Sequence, residues 1–181
     1  NDSAKKELMA ILPEDARSFS TPKPVSLIDR ILRIATGPDD LVLDFFAGSG
    51  TTGHAVLKLN AEDGGRRRFI LVSNTEATAE EPEKNLCRDV CARRMRRVAE
   101  GYGETPGLGG GFAYLRARRV PLERLADLAP EQVWLAVALF HLGVVPANVA
   151  VGEGWYAAET ASAGVAYLPR VTPAITAGLR R

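Results

Sequence analysis

An α/β fold organised around parallel strands is the fold class this sequence predicts, and three observations carry it. Residues 41–44, Leu-Val-Leu-Asp, form an apolar run that ends in a carboxylate and breaks into Phe45-Phe46-Ala47-Gly48-Ser49-Gly50-Thr51-Thr52-Gly53. With apolar residues on both faces, the run reads as a strand buried inside a sheet. The glycine turn opens a helix over residues 51–60, and after a polar Glu-Asp-Gly-Gly turn a second apolar run follows within residues 68–73. Strand, helix and strand in this order make a β-α-β unit with a right-handed crossover and adjacent parallel strands.

Residues 3–12 predict a short amphipathic helix that Pro13 ends. Residues 18–25 carry Pro22 and Pro24 and cannot be helical. Ser26, with Asp29 three residues on, is the expected N-cap of a helix running to residue 36. Its Leu27, Ile28, Ile31, Leu32 and Ala35 recur at helical spacing, so one stripe packs on the sheet. Gly37-Pro38-Asp39-Asp40 turns into the first strand. Beyond the second strand, Glu81-Pro82 opens a long helix with Leu86, Val90, Met95 and Val98 inward, and Gly101 closes it. The glycine-rich residues 101–111 are a loop, and residues 112–118 read as a third strand.

After Arg119 the composition shifts. Residues 121–128 and 130–142 read as two helices, the second nearly all apolar and therefore buried, and residues 152–169 as a hairpin anchored by Trp155, Tyr156 and Tyr167. The expected organisation is a main domain over residues 1–119 and a small α+β appendage over residues 120–181.

Apolar content of 46% and charged content of 25% are those of an ordinary globular protein, and 181 residues suffice for a sizeable core. The chain has no apolar run of eighteen and no signal peptide, so the expected location is the cytoplasm. Cys87 and Cys91 have no second cysteine pair or nearby histidine to complete a zinc site, and they read as buried thiols. Net charge is +1, yet residues 81–125 hold ten Lys/Arg against six Asp/Glu. Lys84, Arg88, Arg93, Arg94, Arg96 and Arg97 fall on one helix and read as a solvated arginine face in preference to a phosphate-tracking one. His54 and His141 lie on helices and read as packing or surface residues.

The glycine loop carries the chemistry. Gly48 and Gly50 leave room for a ligand to approach the backbone, and the following helix aims free N–H groups at the same spot. Gly48-x-Gly50-x-x-Gly53 also matches the dinucleotide fingerprint. Asp44, four residues before the first glycine, would repel a pyrophosphate laid over that turn. A phosphate-binding P-loop is excluded because no Gly-Lys-Ser/Thr follows. A ligand with a cationic group suits Asp44, and the ammonium and sulfonium of S-adenosylmethionine meet that requirement.

The run Asp44 to Thr52 resembles the D-x-F-x-G-S-G-T motif of amino-methylating DNA methyltransferases. Phe19-Ser20-Thr21-Pro22-Lys23-Pro24-Val25-Ser26-Leu27 resembles the T-x-K-P motif that precedes the glycine loop in the β-ordered group of these enzymes. Both motifs, in this order and followed by Phe69-Ile70-Leu71-Val72, are most similar to the modification subunits of type III restriction systems. The resemblance covers residues 18–118 and is faint beyond.

It implies a partial doubly wound parallel sheet of the S-adenosylmethionine-dependent methyltransferase type, with half-sheet order 3-2-1 and S-adenosylmethionine as cofactor. By the same resemblance Asp44 accepts from the methionyl ammonium, while Ala47, Gly48, Ser49 and Gly50 form the loop. Thr51 and Thr52 either donate to the cofactor carboxylate or cap the helix. Thr21, Lys23 and Pro24 stand at the methionine end, where Lys23 pairs the carboxylate. Phe45 and Phe46 line the adenine pocket or the core. Many relatives end the second strand with an acidic residue on the ribose hydroxyls. Here Ser73-Asn74-Thr75-Glu76 stands in that place, and Glu76 is the first candidate with Asn74 second.

The implied reaction is methyl transfer to an exocyclic amine, adenine N6 in the first place with cytosine N4 open, of a base rotated out of duplex DNA. The Pro-Pro-Tyr/Phe/Trp segment that holds the target base is missing, since no Pro-Pro pair occurs in the chain. About twenty residues precede the T-x-K-P motif, with no initiator Met. The expectation is a C-terminal piece of a larger enzyme that is inactive alone. Its partners would be duplex DNA, the missing catalytic half or a partner subunit, and a second copy or the N-terminal segment against the open edge of the first strand. Two other classes stay open: a non-catalytic interaction module that keeps the fold, and a nicotinamide-dinucleotide domain.

Overall fold

The computed structural model describes residues 2–14, 19, 21–117, 119–143, 145–152, 155–161 and 163–168. Residues 15–18, 20, 118, 153, 154, 162 and 169, which fall in elements named above, lie outside that set. The chain divides into two compact units, residues 1–114 and 115–181.

In the first unit, α1 (Asp2–Ile11) buries Ala4, Leu8 and Ile11. Next comes α2 (Val25–Ala35), capped by Pro24 with no side-chain cap. Ser26 lies in its first turn and is not the expected N-cap. The fixed φ of Pro24 already presets the helix start, and its carbonyl accepts the Leu27 N–H at 3.2 Å. Asp29 is engaged by Arg33 at 2.9 Å, and Arg33 also reaches Glu62 on the next helix.

β1 (Leu41–Asp44) pairs in parallel with β2 (Arg68–Leu71), Leu41 opposite Arg68 and Asp44 opposite Leu71. Between them runs α3 (Thr51–Asp63), three residues longer than expected. Its end is tied to the start of β2. Arg67 pairs with Asp63 at 2.9 Å, and Asn60 exchanges two hydrogen bonds with the Arg67 backbone.

The core lies on one face of this sheet. Val42 and Phe69 pack against Val25, Leu32, Ala55, Val56 and Leu59. Phe69 and Leu71 pack against a second cluster that includes Leu8, Ile11, Leu57, Val90, Met95 and Val98. The opposite face shows Leu41, Leu43, Ile70 and Val72 to solvent. The strand expected to be buried on both faces is therefore covered on one, and the layer that parallel sheets place on the other is absent among the described residues. No described strand pairs with the free edge of β1. The N-terminal helix does not cover that edge, because its buried side chains join the Val90–Val98 cluster.

The expected third strand is not formed: residues 112–117 join no ladder, and of the order 3-2-1 the structure contains the β1-β2 pair. Two features draw the chain away. A short hairpin, β3 (Gly101–Tyr102) and β4 (Thr105–Pro106), reverses its direction. Leu108 and Gly109 then donate to the carbonyls of Val98 and Ala99, each at 3.0 Å. Phe112 packs its ring on the core without strand pairing.

The long helix also starts later than expected. Residues 82–85 are turn and coil, Cys87–Ala92 is a π-helical turn, and α4 (Arg93–Glu100) continues it. The inward positions Leu86, Val90, Met95 and Val98 are buried as expected, and Gly101 ends the helix. Cys91, Ala92 and Arg94 between them are buried as well.

In the second unit a 3₁₀ turn (Leu122–Asp127) with no buried residue precedes α5 (Pro130–Leu142). A three-stranded antiparallel sheet follows, β5 (Ala150–Gly152), β6 (Trp155–Glu159) and β7 (Gly164–Tyr167), in chain order. The expected hairpin is its β6-β7 half. Trp134 stacks on Tyr156 with centroids 6.0 Å apart, and the Tyr156 hydroxyl donates to Glu131 at 2.7 Å. α5 is not buried all round as its apolarity suggested. A three-stranded sheet covers one stripe, Trp134 and Ala138, and Phe140 stays exposed. Among the described residues no helix is long and apolar enough to cross a membrane.

Candidate functional site

β1 delivers Asp44 to the mouth of the glycine loop. Its Oδ1 accepts the Phe46 N–H at 2.9 Å, and its Oδ2 accepts the Thr52 hydroxyl at 2.6 Å. Each carboxylate oxygen has two lone pairs, so Asp44 is aimed by two donors and still has acceptor capacity for a ligand. The Thr52 hydroxyl is thereby spent on Asp44.

The loop is tied down through its backbone. Ala47 donates to Val72 at 3.1 Å, Gly50 to Ala47 at 2.7 Å, and His54 to Gly50 at 3.2 Å. Gly48 and Gly50 take φ of +51° and +78°, where a side chain is strained. A Cβ at Gly48 would stand 2.9 Å from the Phe19 ring, and one at Gly50 2.9 Å from Cys91 Sγ. The loop therefore rests between the start of the T-x-K-P segment and the π-turn.

Thr51 joins these parts, its hydroxyl donating to the Lys23 carbonyl at 3.3 Å. The Lys23 side chain is exposed and makes no ion pair among the described residues, Thr21 is exposed, and Pro24 is half-buried. Phe45 and Phe46 are 62% and 93% exposed and join neither core cluster of this unit. Ala47 and Ser49 are buried. Glu76, past the end of β2, is exposed and is the one non-glycine residue with positive φ (+53°) among the described residues, a conformation that stores strain. Asn74 is exposed as well.

The arginine run reads differently in three dimensions. Arg94 is 0% exposed, not part of a solvated face. Its Nη1 donates to Ser49 Oγ and Thr51 Oγ1, both at 3.1 Å, and lies 3.5 Å from the Ser49 carbonyl. Its Nη2 meets His54 Nδ1 at 3.2 Å. Arg93 and Arg97 both pair with Glu14, Arg97 also donates to the Ile11 carbonyl at 2.7 Å, and Arg88 pairs with Asp89 at 2.6 Å. Sequence reasoning passed over Arg94 because its charge assigned it to a solvated face. The signal was its position, four residues after Val90 and four before Val98, which puts it on the same inward stripe of the helix.

Burial first, and then the Arg94 charge, pushes His54 down to about 3, so its imidazole is neutral and Nδ1 accepts from Arg94. An unfolded chain, with an ordinary histidine, binds one more proton between pH 6.5 and 3. Stability is therefore expected to fall as pH drops through this window, by about 2 kcal/mol from pH 7 to pH 5. Urea unfolding at the two pH values checks this, and His54→Gln should remove the difference. Burial likewise pushes the Cys91 thiol up to about 12, which makes it an inert packing group beneath the loop. No cluster of metal-ligating side chains occurs among the described residues.

Residues 1–81 match the family model described as DNA methylase. This N-terminal part is similar to the DNA methylase family. The relatives carry the name that the two motifs implied. The chain is 42% identical over 136 residues to the type III restriction-modification enzyme StyLTI Mod subunit of Salmonella typhimurium, covering 71% of this chain and 21% of that protein. It is 50% identical over 74 residues to the EcoPI Mod subunit of Escherichia phage P1, covering 41% and 11%. It is 49% identical over 59 residues to the type II methyltransferase M.KpnI of Klebsiella pneumoniae, covering 33% and 14%. The chain thus spans about a fifth of the StyLTI subunit and about a tenth of the EcoPI one. The methylase match contains Lys23, Asp44, Gly48 and Gly50, and stops short of Arg94.

Proposed function

We propose that this methylase segment binds S-adenosylmethionine over its glycine loop and serves an enzyme that methylates an exocyclic amine of DNA, adenine N6 in the first place. One observation carries the reading: a carboxylate fixed at the strand end by Thr52 and by the Phe46 N–H, facing a loop whose Gly50 leaves no room for a Cβ. Asp44 takes the methionyl ammonium. The first-turn N–H groups of α3 and the exposed Lys23 side chain take the carboxylate. Phe45 and Phe46, exposed beside the loop, offer the apolar surface against which an adenine stacks. Glu76 is the proposed ribose residue. Thr21 and Pro24 flank Lys23, and Ala47 and Ser49 hold the loop from below. Bound there, S-adenosylmethionine would supply the electrophilic methyl group.

The cofactor half is proposed to run over residues 1–119, with an appendage over residues 120–181, in the cytoplasm. The exposed apolar face formed by Leu41, Leu43 and Ile70, together with the free edge of β1, is where the catalytic half or a second subunit packs. Without a Pro-Pro segment the chain alone transfers no methyl group to DNA. Calorimetric titration of the 181-residue chain with S-adenosylmethionine, and separately with NADH, tests the reading. Saturable binding of the first alone supports it, whereas binding of NADH alone replaces it with the dinucleotide reading.

A further inference from the structure

We infer that Arg94 is the positioning residue of the cofactor loop, a buried guanidinium that sets the glycine loop and the Lys23 segment in one arrangement before any ligand arrives. The inference rests on the proposed function for its importance, but its geometry stands alone. Arg94 is wholly buried and comes from the first turn of α4, behind the loop. Burying a guanidinium is costly unless its donors are satisfied, so a chain that retains one gains from the arrangement it enforces. The donors go to the loop: Nη1 to Ser49 Oγ and Thr51 Oγ1, Nη2 to His54.

The Thr51 bond has a directional consequence. A hydroxyl has one proton, and the arginine can only donate to it. The Thr51 proton is thereby left to donate, to the Lys23 carbonyl at 3.3 Å, with Ser49 Oγ at 3.4 Å the other acceptor in reach. One buried cation orients a hydroxyl that in turn holds the backbone of a segment 28 residues earlier in the chain. His54 is held as an acceptor by the same group, at the base of the first turn of α3. The nearest carboxylate, Glu7, is 3.9 Å from Nη2, and Nε has no partner, so the bonding is concentrated on the loop side. Arg94 lies four residues after Val90 and four before Val98, on the inward stripe of this helix.

The test is hydrogen exchange on the ligand-free 181-residue chain, comparing wild type with Arg94→Met, Arg94→Lys and Thr51→Val. The amides of Ala47, Gly50 and His54 report on the loop, because each is hydrogen-bonded in it. Arg94→Met is expected to speed exchange at Gly50 and His54 by about ten-fold or more while the middle of α3 and α5 keep their protection. Arg94→Lys, which can reach Ser49 or Thr51 but not fork between them and His54, should fall between. Thr51→Val should loosen the Leu27 amide, which donates to the Pro24 carbonyl, and leave Ala47 protected. If Arg94→Met does not fold, the lysine and valine variants decide by the same pattern. Unchanged exchange, or a uniform rise over the whole first unit, overturns the inference and leaves Arg94 an ordinary core residue.

Titration of the same variants with S-adenosylhomocysteine separates this from the proposed function. A wild type that binds nothing sinks the cofactor reading and leaves the exchange result standing. A wild type that binds, with Arg94→Met weakened about ten-fold and Arg94→Lys partly restored, supports both.

Discussion

Asp44→Ala is expected to remove saturable S-adenosylmethionine binding from a chain that remains folded. Asp44 is half-buried, and its removal costs the fold two hydrogen bonds, to the Phe46 N–H and the Thr52 hydroxyl. Each is worth about 1 kcal/mol net, and water reaches the site to replace part of it, so unfolding should shift by about 1–2 kcal/mol. The ligand loses more. A carboxylate facing an ammonium makes a charge-assisted hydrogen bond worth about 1.5–3 kcal/mol, which is about a ten- to hundred-fold loss of affinity. A loss at the upper end of that range flattens the calorimetric isotherm. Asp44→Asn sharpens the result. It keeps an acceptor for the Phe46 N–H and loses the charge, together with the oxygen that accepts the Thr52 hydroxyl. Affinity equal to wild type in Asp44→Asn would mean that the ligand group at Asp44 is not a cation, and the argument that chose S-adenosylmethionine over a dinucleotide would fall.

That argument was legible in sequence because it depends on neighbours along the chain. Asp44, Gly48 and Gly50 are set by a strand end and the turn after it, and local stereochemistry decides both. The β-α-β unit was legible for the same reason. What was missed depends on distant partners. Arg94 belongs by charge to a solvated face, yet it stands four residues from both Val90 and Val98, and distant partners on the loop hold it inward. The third strand failed because hydrogen bonds from Leu108 and Gly109 to the end of α4 commit the chain elsewhere, and a strand propensity at residues 112–118 does not reveal a competitor. Ser26 lost the N-cap to a proline whose backbone had already begun the helix. The burial of β1 on both faces was inferred from its composition, which records what the strand was built to contact. In this structure Leu41 and Leu43 lack that contact.

The same reasoning makes Gly50→Ala the most disruptive single methyl in the loop. Gly50 sits at φ +78° and ψ +26°, so any side chain there pays the left-handed penalty of about 1–2 kcal/mol. The added Cβ would also stand 2.9 Å from Cys91 Sγ, with the Cys91 carbonyl oxygen at 3.5 Å and its Cα at 3.6 Å. Those backbone contacts are ordinary, so the clash is with the sulfur of a buried side chain, and overpacking of this kind costs about 1–3 kcal/mol more. Gly64→Ala separates the two effects. Gly64 has φ +71° and nothing within 4 Å of its would-be Cβ, so it carries the left-handed penalty without the clash. Urea unfolding should therefore show Gly50→Ala losing about 3 kcal/mol and Gly64→Ala about 1, the difference being the packing of the loop on the π-turn. Cys91→Ala added to Gly50→Ala should return most of that difference, because it deletes the sulfur that the new methyl meets. Equal losses in the two glycine variants would mean that the loop yields, and that it is not held against Cys91 and Arg94 in the way the ligand-free geometry requires.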